Sequence, residues 1–237
     1  MRIRALAVAP LLLLALAGCT PAGGSDALAH FQAPSNGESK KPGPTVAEDA
    51  AAALLHAGAA TVEGHLAVDG ADQEVTFNLQ GGDMTGTVVT RGQAVQVVVW
   101  HDDTYAKGPA AFWRSVGLPG DAAARLAGHW VQHADTAVQR LTPISLIWLA
   151  DVVRDPSEAV EHDVHLGTAD SGRLTGTPVA VVTLADGSTI QVAAAGTPYP
   201  LVIENPGGHD GELSLSAFEE GATVVPPPSA LDLAAAV

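Results

Sequence analysis

The sequence predicts an α+β domain built on an antiparallel meander, with short helices inserted between two sets of strands. Three features of the 237 residues predict it. Apolar and polar residues alternate over several short stretches, bounded by turn signals such as Asp69-Gly70 and Asp186-Gly187. An Ala- and Leu-rich run of helical character precedes the first set of strands. A run that is apolar nearly all round lies between the sets, over 143–153.

At the start of the chain, Arg2 and Arg4 precede an apolar stretch over 5–16, bent at Pro10. That stretch is shorter than the roughly 20 residues a spanning helix needs, and suits the apolar region of a secretory signal. Leu16-Ala17-Gly18-Cys19 follows, and Cys19 is the one cysteine in the sequence. These four residues resemble a bacterial lipobox. The resemblance implies removal of 1–18 as a lipoprotein signal peptide and a diacylglyceryl group, with further acylation such as palmitate, on Cys19. An ordinary secretory leader with an incidental cysteine is the competing reading. Loss of Arg2 and Arg4 leaves nine Lys and Arg against 26 acids, a formal charge of −17. Residues 19–44 read as a flexible, lipid-anchored tether, because Gly23, Gly24, Pro34, Gly37, Pro42 and Pro44 break any apolar period. Such a coil holds a domain roughly 25–30 Å from the membrane on average.

Thr45 predicts an N-cap, with Glu48 completing a capping box, and the helix runs over 46–57 to Gly58. Val75, Phe77 and Leu79 then alternate with Glu74, Thr76 and Asn78 as a strand. Strands over 84–90 and 93–100 follow, joined at Arg91-Gly92. In the second of them Val95, Val97 and Val99 share one face, and Gln96, Val98 and Trp100 the other. A short strand over 105–107 comes after the His101-Asp102-Asp103 turn. In the C-terminal half, strands over 179–184 and 189–194 flank Asp186-Gly187. Strands over 201–204 and 212–218 flank Asn205-Pro206-Gly207-Gly208. Pro226-Pro227-Pro228 and the Ala-rich 229–237 read as a loose C-terminal tail.

Between the two sets, 120–127 reads as a short helix after Pro119. The run 143–153 takes Thr142 as its cap and Pro143 at the first helical position. Ile144, Leu146, Ile147, Trp148, Leu149, Val152 and Val153 leave it scarcely any polar face. A helix of this kind is covered on two sides, either by protein on both or by protein on one and an apolar ligand on the other.

Composition excludes several classes. Eleven Lys and Arg against 26 acids, a formal charge of −15, disfavours nucleic acid and any polybasic contact with anionic lipid. A single cysteine excludes an internal disulfide framework and a Cys-rich metal site. Nine histidines invite a metal reading at His129 and His133 or at His162 and His165. Neither cluster has His-Glu-x-x-His spacing, so surface histidines, no metal and no cofactor are expected. There is no Gly-x-Ser-x-Gly elbow, and Ser145 falls within the apolar helix. Asp102-Asp103 and Glu219-Glu220 read as turn and surface acids. The expectation is a protein that is not an enzyme.

The order of elements then resembles a family. Lipobox, tether, helix and meander are followed by Tyr105-Ala106-Lys107-Gly108 and Phe112-Trp113, then Gly128-His129-Trp130-Val131. Gly176-Thr177-Pro178-Val179 and Gly196-Thr197-Pro198-Tyr199-Pro200 come later. Over 45–228 this pattern is similar to the LppX/LprAFG-type lipoproteins of actinobacteria, in the wider group of LolA and LolB carriers. The resemblance implies a strongly curved antiparallel sheet, an unclosed half-barrel, with helices packed across its concave face. It also implies an apolar cavity between sheet and helices that holds acyl chains of a lipid or lipoglycan. On that expectation Val95, Val97, Val99, Ile144, Leu146, Ile147, Trp148 and Leu149 wall the cavity. Phe112, Trp113 and Leu118 close one end. The protein would sit on the extracytoplasmic face of the cell membrane. The alternative is the same fold with a filled core, serving as a structural or regulatory envelope lipoprotein through protein contacts.

Overall fold

A computed structural model describes residues 34–101, 103–139, 141, 144–154, 165–168, 176–184 and 186–236. Helix α1 (Gly43–Ala57) leads into β1 (Ala59–Val68), β2 (Ala71–Gln80), β3 (Asp83–Thr90), β4 (Gln93–Trp100) and β5 (Asp103–Lys107). Then come α2 (Ala110–Ser115), α3 (Gly120–Leu126), β6 (Val131–Gln132), α4 (Asp135–Gln139) and α5 (Leu146–Arg154). The second set is β7 (His165–Thr168), β8 (Pro178–Thr183), β9 (Thr189–Ala193), β10 (Pro200–Glu204) and β11 (Gly211–Ser216). Short β12 (Leu231–Asp232) and α6 (Leu233–Ala236) end the described chain.

The twelve strands of the described residues belong to one curved, unclosed sheet, in the order β12-β6-β5-β4-β3-β2-β1-β11-β10-β9-β8-β7. The α+β half-barrel expected from the sequence is thus the architecture present. Antiparallel pairing of β1 with β11 joins the two meanders, and among the described ladders only β12 on β6 is parallel. Glycine makes the join possible. A side chain on Gly64 would collide with the Glu212 carbonyl, and one on Gly211 with that of His65. Gly86 leaves room for the ring of Phe77, its cross-strand neighbour.

Helix α1 buries Val46, Ala47, Ala50, Ala51 and Leu54, and packs on α5 and on β1, β8, β9 and β10. Helix α5 buries Leu146, Leu149, Ala150 and Val153. These side chains merge with Val62, Phe77, Val95, Val97, Ile190, Ile203 and Leu213 into the main core, on one side of the sheet. On its other side Val98 and Tyr105 pack with Val224, beside Trp100, Trp130 and Ala230. Burial, then the Asp103 charge, pushes the Tyr105 phenol above its usual range.

Several boundaries differ from expectation. Helix α1 starts at Gly43, with Pro44 in its first turn and no side-chain cap, because proline suits a turn whose N–H groups have no helical acceptor. Thr45 lies inside that turn, its N–H bonded to the Pro42 carbonyl at 2.9 Å. Glu48 instead accepts a hydrogen bond from Arg154 Nε of α5 at 2.9 Å. The folded unit also begins before residue 45. Ser35 bridges Ala195, and Asn36 Nδ2 donates to the carbonyls of Ala193 and Gly196 at 2.8 and 3.1 Å. Lys41 donates to buried Glu38 and to Asp49 of α1 at 2.7 and 2.6 Å. Those two hydrogen bonds, Asp49 first, raise the Lys41 ammonium above the ordinary lysine value. At the other end, part of 229–237 is held rather than loose, because Leu231 N–H bonds to the Trp130 carbonyl at 2.8 Å and seats β12 beside β6.

Candidate ligand cleft

Strands β1 to β4 give the core face of the sheet a series of cross-strand rows, since residues directly opposite share a face. Val62, Phe77, Gly86 and Val97 form one row; Gly64, Val75, Val88 and Val95 form the next. Leu66, Gln73, Thr90 and Gln93 form the row beyond. Within one step the face changes from apolar to polar. This happens at the sheet end bounded by the turns Asp69-Gly70 and Arg91-Gly92. Both residues of each turn have positive φ, 51° and 70° in the first and 51° and 73° in the second, the geometry of tight two-residue hairpins.

Helix α2 and Leu141 lie over this polar row and leave a cleft of about 340 Å³. Among the described residues its walls are Val68, Asp69, Ala71, Gln73, Thr90, Arg91, Gln93, Phe112, Ser115, Val116 and Leu141. The volume falls at the lower end of small-ligand sites, and the lining is mixed, with six polar residues and five apolar ones. Gln73 is only 3% exposed, and its Oε1 is buried with no hydrogen-bond partner. Leaving such an acceptor unpaired costs about 1–3 kcal/mol. Arg91 holds a left-handed backbone at the lip, where Asn, Asp or Gly is the usual occupant. Shallower grooves on the opposite face of the sheet are lined by outward residues of β1 and β2, among them Glu63, His65, Asp72 and Glu74.

Of the wall residues expected from the sequence, Phe112 lines this cleft. Trp113 is fully buried behind it, its ring edge-on to Phe112 at 4.9 Å. Val95, Val97, Ile144, Leu146 and Leu149 are buried in the main core, with Val99, Leu118 and Trp148 half-buried against it. Around β4 and α5 these side chains pack into one core. Ile147 is a correction: it is 65% exposed, because the inward side of α5 is set by Leu146, Leu149, Ala150 and Val153. Ser145 is another, since it caps α5 by accepting the Trp148 N–H at 3.1 Å rather than lying within the helix. Thr142, Pro143 and Cys19 lie outside the described residues.

His129 and His133 lie on either side of the two-residue β6, and His133 Nδ1 lies 3.4 Å from Asp232. His162 lies outside the described residues. Among the described residues, no three His, Cys, Asp or Glu side chains gather as metal ligands, and no helix is long and apolar enough to cross a membrane. The sequence reading missed Gln73, Thr90, Arg91 and Gln93 as site residues. The signal for Gln73 was present: it has the same parity as Val75, Phe77 and Leu79 and so points to the same face. No protein-family model matches the chain, and no curated protein matches it significantly.

Proposed function

We propose that the chain is a non-catalytic envelope lipoprotein, anchored through a lipid on Cys19, that holds an acyl chain of a lipid or lipoglycan. The observation that carries this reading is the cleft at the sheet end, where an apolar face gives way to a polar row. An aliphatic chain fits the apolar wall of Val68, Phe112, Val116 and Leu141, at about 0.8 kcal/mol per buried methylene, and its headgroup meets the polar row. No reacting group is needed for that work. The leader, with Arg2, Arg4 and the Leu16-Ala17-Gly18-Cys19 signal, supports an anchor on the extracytoplasmic face of the cell membrane.

A second reading, a structural or regulatory lipoprotein working through protein contacts, is favoured by the burial of Val95, Val97, Leu146 and Leu149 in one core. Native mass spectrometry of the protein, purified from its host and released from detergent in the spectrometer, separates the two. The lipid-carrying reading expects a co-purifying amphiphile beyond the covalent anchor; a chain that flies without one supports the second. Metabolic palmitate labelling checks the anchor, with label expected on the wild type and lost in Cys19→Ala. An unlabelled wild type overturns it.

A further inference from the structure

We infer that the face of the sheet opposite the main core carries a docking site for an extended, proline-containing segment of a partner protein, and that the chain's own C-terminal segment fills it as a displaceable stand-in. The site is aromatic. Of the four Trp and two Tyr in the sequence, Trp100, Tyr105 and Trp130 gather here around Val98. None of them is among the described walls of the cleft. Residues 224–232 lie against this group. Val224 is buried with Val98 and Tyr105, Ala230 packs beside them, and Leu231 pairs with Val131 at the sheet edge. Between these anchors stand Pro226, Pro227 and Pro228. Each proline confines the residue before it to extended backbone, so the stretch is set for docking before it binds. Aromatic grooves that take proline-rich segments work in the same way.

The hold of this segment is slight. Among the described residues, the backbone of 221–230 makes no hydrogen bond to other backbone. Glu220, Gly221, Ala222 and Thr223, which lead into it, are exposed. Ser229 is held at φ 59°, in the left-handed region that disfavours residues with a side chain. Val225 is 63% exposed, and Trp100 and Trp130 are left half-buried. Ala230, whose neighbour Leu231 donates its N–H to the Trp130 carbonyl, offers the rings a single methyl group. The same segment from a second copy gains nothing over the chain's own, which is present at an effective concentration of about mM. A partner with a larger apolar side chain in place of Ala230 covers more of the two rings, and that surplus displaces the stand-in.

The test uses the full-length chain carrying Cys19→Ala and, as probe, a fluorescein-labelled peptide with the sequence of residues 222–233, followed by anisotropy. Val224→Asp in the chain withdraws the buried anchor of its own segment. That variant should bind the probe about tenfold more tightly than the chain with Val224, where the tethered segment competes. A peptide with Pro226→Ala, Pro227→Ala and Pro228→Ala should bind about fivefold more weakly. One with Ala230→Leu should bind about fivefold more tightly. Adding Trp130→Ala to the Val224→Asp chain should abolish binding, which locates the probe on this face. Equal affinity of the two chains, a probe that the folded Val224→Asp chain ignores, or binding that survives Trp130→Ala overturns the site. An alanine peptide that binds equally well overturns the preference for proline, and an Ala230→Leu peptide that binds no more tightly overturns displacement by a partner. Val224→Ser serves if Val224→Asp does not fold; failure of both to fold makes the segment part of the core and overturns its role as a stand-in. A dimer formed by the chain with Val224 and lost in Val224→Asp makes a second copy the occupant and overturns the partner.

Discussion

Gln73 and Arg91 stand on the wall of one cleft, and each holds a state that works against folding. The buried Oε1 of Gln73 has lost its water without gaining a donor. The Arg91 backbone, at φ 51°, sits where an L-residue other than Asn, Asp or Gly is strained by roughly 1–2 kcal/mol. Both substitutions that relieve these costs should stabilise the unliganded protein. Gln73→Leu should gain about 1–3 kcal/mol, and Arg91→Asn up to about 1 kcal/mol. Urea titration reads this as a higher midpoint at unchanged slope, and heating as a rise of about 2–4 °C per kcal/mol. Midpoints that fall in both variants would mean that the two side chains serve the fold and not a ligand. The inward direction of Gln73 was legible from its parity with Val75, but glutamine is mostly a surface residue and the apolar pattern starts two positions later. Arg91 was legible as a hairpin turn; that its side chain borders a cleft depends on α2, which folds onto the sheet from elsewhere in the sequence.

Helix α5 illustrates what periodicity leaves open in an apolar element. Its sequence offered two apolar sides, and burial selects the one containing Leu149 over the one containing Ile147. Leu149→Ala should therefore cost about 2–5 kcal/mol, through lost burial and the cavity left behind. Ile147→Ser should stay within about 0.5 kcal/mol, as exposed positions do. Thermal unfolding of the two variants checks the pair, and comparable losses would place Ile147 inside an interface. The hairpins were readable because their two-residue turns announce themselves. Strand β1 was not, since Ala59, Ala60, Gly64 and Ala67 dilute its alternation and its place is fixed by pairing with β11, distant in sequence. The start of α1 was misplaced for a related reason. Thr45 and Glu48 form a plausible capping box, but Pro44 already fits an earlier first turn, and the Arg154 side chain gives Glu48 another partner.

At the scale of the whole molecule, the sheet has two unlike ends. The cleft lies beside the β1–β2 and β3–β4 turns. The N-terminal segment docks at the opposite end, because Ser35 bridges Ala195 beyond β9, on the side of the Pro200–Val192 pairing. Strand register carries that side from β10 through Ser216 and Thr61 to Asn78, toward the β2–β3 turn. The ten residues of β2 separate the two ends by roughly 30 Å, at about 3.3 Å per residue. If Cys19 carries the anchor, the chain enters the domain at the end away from the cleft. An acidic body is also repelled from an anionic leaflet. The cleft mouth should then face outward, positioned to exchange its ligand with the envelope rather than with the anchoring bilayer. Gln80 and Asp72 test this orientation, since both are exposed on the same face of β2 at its two ends. A fluorophore at Gln80 of the lipidated protein should be quenched more strongly by vesicles with nitroxide-labelled headgroups than one at Asp72. Stronger quenching at Asp72 would turn the cleft toward the membrane and reverse the proposed direction of exchange. Equal quenching would show that no orientation is imposed.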